Sequence, residues 1–154
     1  MPDSNQIPTR CEFEADKLVI QLDALIPSEI KVIDRTVAKI CRLIERSGCW
    51  DDSEAVELAL REALANAIVH GNRSDPAKSV RICVGIEPGC NVLIVVKDAG
   101  SGFDPGHLPS PVTAENVFVA HGRGIFLINH LMDNVNFKFD HGTAIYMRRR
   151  VSSR

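Results

Sequence analysis

The sequence predicts an α+β fold, a two-layer sandwich in which helices cover one face of a largely antiparallel sheet. Two observations support this prediction. The spacing of apolar residues switches along the chain between the two-residue period of strands and the three- and four-residue period of helices. The predicted order is strand, two helices, hairpin, long loop, helix and hairpin, which separates the helices from strands that pair through short turns. The chain has 154 residues, 45% of them hydrophobic, so we expect one domain over residues 1–154.

The first predicted elements are a strand and a helix. Leu18, Ile20 and Leu22 recur at every second position, which is the period of a strand. Over residues 27–47 the apolar positions recur at three and four residues instead, and Gly48 follows, as is common just past the end of a helix. We therefore expect a helix over residues 27–47 with one buried face.

A second helix is predicted over residues 52–69. The segment "DDSE" lies at its start, where a short acidic side chain can cap the first turn and complement the helix dipole. At about 100° per residue, one face of this helix collects the apolar residues Val56, Leu60, Leu64, Ala67 and Ile68.

Two hairpins and a long loop complete the chain. Residues 80–86 and 91–97 flank "EPGC", and residues 134–139 and 143–149 flank "DHG", so each pair predicts a hairpin. Between the hairpins the periodicity disappears among glycines and prolines until "GIFLINHLM" predicts a short helix. Structureless segments of that length are usually functional lids or disordered. We expect residues 104–121 to form a lid.

Charge and hydropathy argue against two classes of partner. Lys and Arg number 18 and Asp and Glu 20, which gives a net charge of −2, so no overall positive field would hold nucleic acid or an anionic membrane. No run approaches the roughly 20 apolar residues of a membrane span. Residues 1–10 lack the apolar core of a signal peptide and are expected to form a loose tail. We therefore expect a cytoplasmic protein.

The cysteines are expected to be reduced and structural. They are odd in number and include no C-x-x-C pair, which argues against a disulfide framework and against a zinc site. A bond between Cys83 and Cys90 across the first hairpin is the less favoured alternative. The five are Cys11, Cys41, Cys49, Cys83 and Cys90.

The second helix carries a polar stripe among small residues. Glu62, Asn66 and His70 follow one another at intervals of four residues and share a face, with Ala59 and Ala63 beside them. A solvated polar face is the simplest interpretation, but such faces usually carry Lys, Glu and Arg, whereas alanines leave room for a ligand. Mg²⁺ prefers hard oxygen ligands and substrate phosphates. On this hypothesis Asn66 supplies an oxygen to the metal and Glu62 acts as a base.

Two glycine-rich segments also suit a ligand. Asp98 ends an apolar strand and precedes Gly100 and Gly102, so backbone can approach a ligand while the carboxylate accepts a hydrogen bond from an exocyclic amine. The segment "HGRG" leads into a helix whose first N–H groups favour anions, and Arg123 adds positive charge. Taken singly, each segment also fits an ordinary turn or helix start, and Thr143 is an ordinary strand residue.

In this order and spacing, the segments resemble the GHKL ATPase superfamily, whose members include gyrase, the Hsp90 chaperones, MutL proteins and histidine kinases. "EALANAIVHGN" resembles its N box, "DAGSGFD" its first glycine box and "GRGIFLI" its second, over about residues 12–150. With "GSGFDP" and "GRGIFLINHLMDNV", the chain is most similar to the anti-sigma-factor serine kinases of bacterial partner-switching systems. The resemblance implies the Bergerat fold, in which helices cover one face of a mostly antiparallel mixed sheet.

The resemblance also implies a site for ATP and Mg²⁺ between helices and sheet. Glu62 would be the catalytic base, Asn66 the Mg²⁺ ligand and Asp98 the acceptor for the adenine amine. The implied reaction phosphorylates a serine or threonine of a small anti-anti-sigma (STAS-type) partner, and the same protein, as a homodimer, would sequester a sigma factor. The other implied ATP-binding residues are His70, Asn72, Gly100, Gly102, Gly122, Arg123, Gly124, Ile125 and Thr143.

Three alternatives stay open. A sensor histidine kinase normally depends on a helix that bears a phosphoacceptor histidine, and residues 27–47 contain no histidine. A binding module would hold nucleotide and a partner without turnover, and it would have no need of a base at Glu62. A metal enzyme would have to use histidines whose spacings match no ligand set, namely His70, His107, His121, His130 and His141.

Overall fold

The computed structural model describes residues 20–100, 123–139 and 141–153. Within these ranges a five-stranded sheet packs against helices, which confirms the predicted two-layer α+β sandwich. The helices are α1 (Ile33–Arg46), α2 (Ala55–Ala65) and α3 (Arg123–Leu131). The strands are β1 (Ile20–Pro27), β2 (Cys49–Trp50), β3 (Ser79–Glu87), β4 (Asn91–Lys97), β5 (Asn134–Phe139), β6 (Thr143–Arg150) and β7 (Ser152–Ser153).

The large sheet has the strand order β1-β3-β4-β6-β5, and each neighbouring pair is antiparallel. Alternate residues of its central strands form the core. Ile82, Val96 and Ile145, for example, lie in one row across three strands and are buried. They belong to the same hydrophobic cluster as the apolar stripes of α1 and α2. The strands β2 and β7 form a separate antiparallel pair that the sequence pattern did not predict.

The helix α1 begins later than its predicted start at residue 27. The strand β1 continues to Pro27, which pairs with Ser79 of β3. Because β1 is an outer strand of the sheet, a residue without an N–H is tolerated there. A short 3-10 turn, Ile30–Val32, then precedes the helix. The predicted end is close to the observed one, because Gly48 follows α1 with a left-handed φ of +85°.

The helix α2 opens on the predicted acidic cap and closes on a wider turn. Asp51 Oδ2 accepts a hydrogen bond of 2.8 Å from the N–H of Val56. After Ala65 the helix widens into a π turn, Asn66–Gly71, and the N–H of Asn72 donates to the carbonyl of Ala67 at 2.8 Å. Turns of this kind are frequent at functional sites.

The alanines of α2 do not line an open cleft. Ala59 and Ala63 have only 1% and 0% of their surface exposed, and both belong to the hydrophobic core. The prediction that they leave room for a ligand is therefore wrong, because both alanines are buried in the hydrophobic core. The apolar face predicted for this helix is confirmed, since all five of its members are buried.

The prediction that the cysteines are reduced is also wrong. Cys49 and Cys90 form a disulfide, with 5.6 Å between their Cα atoms, and Cys83 is disulfide-bonded as well. Cys90 does not pair with Cys83, because the strand register places Cys83 opposite Val95. Among the described residues the free thiol is that of Cys41, and burial raises its pKa to about 11.

Some predicted features lie outside the described residues. They include the loose tail over residues 1–10, the lid over residues 104–121, and His107 and His121 of the alternative metal site. Within the ranges that are described, no helix is long and apolar enough to cross a membrane.

Candidate functional site

The side chains of Glu62, on α2, and Asn66, at the start of the π turn, meet the first turn of α3. Gly124 lies so close to them that a Cβ at this position would be 2.8 Å from Glu62 Oε2 and 3.2 Å from Asn66 Nδ2. A larger residue at 124 would therefore displace the carboxylate or the amide. The fold thus brings together three predicted site residues that belong to two sequence segments, the N box and the second glycine box.

The side-chain amide of Asn66 has a buried nitrogen, Nδ2, with no hydrogen-bond partner among the described residues. Buried polar groups are normally paired, so an orphaned amide beside Glu62 is where a ligand is expected. A half-turn of the amide exchanges the positions of its oxygen and its nitrogen, and an amide oxygen is one of the hard donors that Mg²⁺ prefers. The residues present therefore fit this metal.

A second part of the site is built around Asp98, immediately after β4. Its Oδ1 accepts hydrogen bonds from the N–H groups of Gly100, at 2.9 Å, and Thr143, at 3.1 Å. Its own N–H donates to the carbonyl of Thr143 at 3.0 Å. Both interactions with Thr143 run through its backbone, so the start of β6 holds this carboxylate in place.

Three glycines, Gly71, Gly100 and Gly142, lie close to Asp98. A Cβ at Gly71 would overlap the carboxylate, and one at Gly142, where φ is +131°, would overlap the backbone carbonyl of Asp98. A Cβ at Gly100 would overlap the carbonyl of Gly71. The chain can pass this close to the carboxylate because these positions carry no side chain.

Burial raises the pKa of Asp98 above its ordinary value of 3.8, although N–H groups of Gly100 and Thr143, and then the charges of Lys78 and Lys97, oppose the shift. The folded state thus binds this proton more tightly than the unfolded chain does. The protonated Asp98 side chain contributes its full stabilisation when the pH is below the ordinary pKa of an aspartate. This stabilisation is lost as the pH rises through the raised pKa of Asp98. At neutral pH the buried charge is a cost, which a hydrogen-bond donor on a ligand would offset.

The remaining predicted residues lie in different surroundings. Asn72 is buried and bonded to protein groups, Ile125 is 2% exposed in the core, and His70 lies exposed in the π turn. Arg123 begins α3, but the position of its side chain is not described. Gly102 and Gly122 lie outside the described residues.

Sequence reasoning missed part of the surroundings of Asp98. It did not assign a role to Gly71, Gly142 or Ser28. The hydroxyl of Ser28 accepts a hydrogen bond from Asn72. The two glycines carry a signal in the sequence, since each occurs in a His-Gly pair beside a predicted element. Ser28 carries none, because only the fold brings it to this position. For the alternative metal site, no cluster of ligating side chains occurs within the described ranges.

Replacing Gly71 with alanine tests the packing around Asp98. The new methyl group would overlap the carboxylate, so we expect the free energy of unfolding, measured in urea, to fall by about 1–3 kcal/mol. The overlapped atoms belong to the Asp98 side chain, which Asp98→Gly removes. Gly71→Ala should therefore cost much less in the Asp98→Gly background. An equal cost in both backgrounds would contradict this contact.

The chain is similar to known proteins over most of its length. The chain belongs to the histidine kinase-like ATPase domain family, whose model matches residues 26–149. It is 27% identical over 138 residues to the serine-protein kinase RsbW of Bacillus cereus (strain AH187), covering 85% of each chain. It is 29% identical over 127 residues to the protein of the same name from Bacillus licheniformis, covering 79% of this chain and 78% of the relative.

Solved structures show the same fold at lower identity. The crystal structure of the RsbU and RsbW domains of Rv1364c from Mycobacterium tuberculosis aligns with a TM-score of 0.63 and 17% identity, over 88% of this chain and 33% of that longer one. The mycobacterial sensor histidine kinase MprB aligns with a TM-score of 0.51 and 16% identity, over 85% of this chain and 100% of that one. The family resemblance and the fold predicted from the sequence are thereby confirmed.

Proposed function

We propose that the protein is an ATP-dependent serine/threonine protein kinase and anti-sigma factor that phosphorylates a small anti-anti-sigma partner and sequesters a sigma factor. The observation that supports this best is the meeting of the Glu62 carboxylate and the unpartnered Asn66 amide at Gly124. A domain that only held nucleotide would have no need of a base at this point. The relatives named serine-protein kinases support the same reaction.

In this proposal, the described residues have separate roles in binding ATP and in transferring its phosphoryl group. ATP, bound with Mg²⁺, supplies the phosphoryl group that is transferred. Asn66 would hold the metal through its amide oxygen, and the first N–H groups of α3 would bind phosphate oxygens. Glu62 would accept the proton of the attacking serine or threonine hydroxyl, and Asp98 would accept a hydrogen bond from the adenine amine. Positioning and electrostatic stabilisation then supply most of the rate.

The family likeness supports further parts of the proposal. We propose that residues 1–154 form a single kinase domain, that residues 104–121 act as its lid, and that the protein works as a cytoplasmic homodimer. Sedimentation velocity of the purified protein tests the oligomeric state, for which we expect twice the mass of one chain.

A transfer assay tests the kinase. The protein is incubated with labelled ATP, Mg²⁺ and candidate anti-anti-sigma proteins, and the modified amino acid is identified. We expect label on serine or threonine of one candidate. Nucleotide binding without transfer to any of them would favour the alternative of a nucleotide-dependent binding module. Label on a histidine would favour the alternative of a histidine-kinase-like regulator. This chain shares its fold with one sensor histidine kinase, MprB.

Asp98→Asn tests the proposed adenine acceptor. The substitution removes a charged acceptor, and hydrogen bonds to charged groups contribute about 1.5–3 kcal/mol, so we expect the affinity for ADP with Mg²⁺ to fall tenfold or more by calorimetry. Stability at pH 7 should be kept or increased, since the cost of burying the charge disappears. The exposed Asp52→Asn is the matched control. Unchanged ADP affinity in Asp98→Asn would contradict the assignment.

The pH dependence of ADP affinity provides a second readout for the same residue. Because the pKa of Asp98 is raised, its carboxylate is protonated at a higher pH than that of an exposed aspartate. The affinity of the wild type should therefore begin to fall, as the pH is lowered from 7, before exposed aspartates titrate. Asp98→Asn should lack this part of the pH dependence.

A further inference from the structure

Asn72 uses its whole side-chain amide inside the protein. It is completely buried, at 0% exposure. Its Oδ1 accepts a hydrogen bond of 2.7 Å from the N–H of Ala99. Its Nδ2 donates to Ser28 Oγ at 2.7 Å and to the carbonyl of Ser79 at 3.1 Å. Both N–H bonds and an oxygen lone pair are thus engaged, so Asn72 does not offer its amide to a nucleotide as the family resemblance implied.

The partners of Asn72 come from three separate parts of the fold. Ser28 follows β1 and is 2% exposed, and its hydroxyl donates to the carbonyl of Lys78 at 2.9 Å. Ser79 begins β3, and Ala99 directly follows Asp98. Asn72 itself ends the π turn after α2. The Asn72 side chain therefore connects the end of the π turn to the residue after β1, to the start of β3 and to the loop after Asp98.

The bond to Ala99 fixes the orientation of a short turn. Ala99 lies between Asp98 and Gly100, whose N–H donates to Asp98 Oδ1. The carbonyl of Gly71, next to Asn72 in the chain, packs directly against Gly100. If the bond to Ala99 is lost, its peptide group is free to rotate, and the carboxylate of Asp98 is then held mainly by the N–H of Thr143.

We propose that Asn72, supported by Ser28, is a positioning residue that fixes the Asp98 carboxylate for recognition of the purine base. This inference rests on the proposed function, because it assumes that Asp98 accepts a hydrogen bond from adenine. The role is specific to the base, since neither Asn72 nor its partners lie at Glu62 or Asn66, where the phosphates would bind. A purely structural Asn72 would instead weaken the fold and affect all ligands alike.

The experiment compares two ligands that share phosphates but not the base. Calorimetry measures the affinity of wild type and Asn72→Ala for ADP and for inorganic tripolyphosphate, each with Mg²⁺. We expect the affinity for ADP to fall about tenfold in the variant, as for loss of a hydrogen bond that holds the acceptor. The affinity for tripolyphosphate should stay within about twofold, because the phosphate groups do not rely on Asp98.

Ile86→Val is the control for lost stability. Ile86 is buried and pairs with Val92, at the opposite end of β4 from Asp98. This substitution typically costs about 0.5–1.5 kcal/mol and should leave both affinities unchanged. Hydrogen exchange provides a readout that needs no ligand, since the amide of Ala99 should lose protection in Asn72→Ala and keep it in Ile86→Val.

Each outcome decides between the proposals. Equal losses for ADP and tripolyphosphate, or unchanged protection at Ala99, would overturn the positioning role while the proposed kinase stands. Wild-type protein that binds neither ligand would overturn the proposed function and this inference with it.

If Asn72→Ala does not fold, the variant Ser28→Ala takes its place, because this substitution removes one partner of Asn72 and keeps the bond to Ala99. It should show the same selectivity with a smaller loss of ADP affinity, and an equal loss for both ligands would overturn the inference.

Discussion

Replacing Glu62 with glutamine is expected to lower the rate of phosphoryl transfer about 10²- to 10⁴-fold, the usual contribution of a general base. The side chain keeps its size, so the packing against Gly124 is preserved. The amide cannot take the proton of the attacking hydroxyl. Single-turnover transfer of labelled phosphate to the proposed anti-anti-sigma substrate measures this effect. The affinity for ADP with Mg²⁺ should change by no more than about twofold, because the proposed base acts in the chemical step.

Glu57→Gln is the matched control for Glu62→Gln. Glu57 also lies on α2, but its carboxylate pairs with Arg61 at 3.2 Å, away from Gly124. The pair is partly exposed, so its loss should cost little stability and leave the transfer rate near that of the wild type. If Glu62→Gln transferred phosphate as fast as Glu57→Gln, Glu62 would not be the base, and the proposed mechanism would need another acceptor for the proton.

Removing the disulfide between Cys49 and Cys90 is the second change with a large expected effect. The bond closes a loop with a sequence separation of 41 residues, and in the chain-entropy model such a loop corresponds to about 4 kcal/mol of stabilisation. We expect Cys49→Ala with Cys90→Ala to lower the free energy of unfolding, measured in urea without reductant, by about 2–4 kcal/mol. Alanine is used because both positions are buried and a polar replacement would add a separate cost.

The free thiol provides the control for this experiment. Cys41→Ala removes a half-buried sulfur that forms no disulfide, so it should lower stability by a smaller amount. Peptide mapping under non-reducing conditions identifies the bonded pair directly. Free thiols at both Cys49 and Cys90 in the folded protein, together with unchanged stability in the double variant, would contradict the bond.

The disulfide also affects the helix that carries the candidate site. The loop that it closes contains α2 and the π turn, and it ties the chain just before α2 to the turn between β3 and β4. Loss of the bond should therefore increase local opening of α2. Hydrogen exchange of α2 amides in the double variant measures this opening.

Much of the fold is determined by local patterns in the sequence. The apolar stripe and acidic cap of α2, both hairpins and the short helix α3 were predicted because each depends on residues close together in the chain. The start of α1 was not predicted correctly, because residues 27–32 satisfy helical spacing while pairing with β3 extends β1 to Pro27.

The sequence by itself determined which residue types are available for a nucleotide site, namely a carboxylate and an amide one helical turn apart and an aspartate among glycines. Only the tertiary structure decided how they combine. It placed Gly124 against Glu62, placed Gly71 and Gly142 close to Asp98, and joined Cys49 to Cys90. These contacts link segments far apart in the chain, and they follow from strand register and helix packing, which no local pattern of residues encodes.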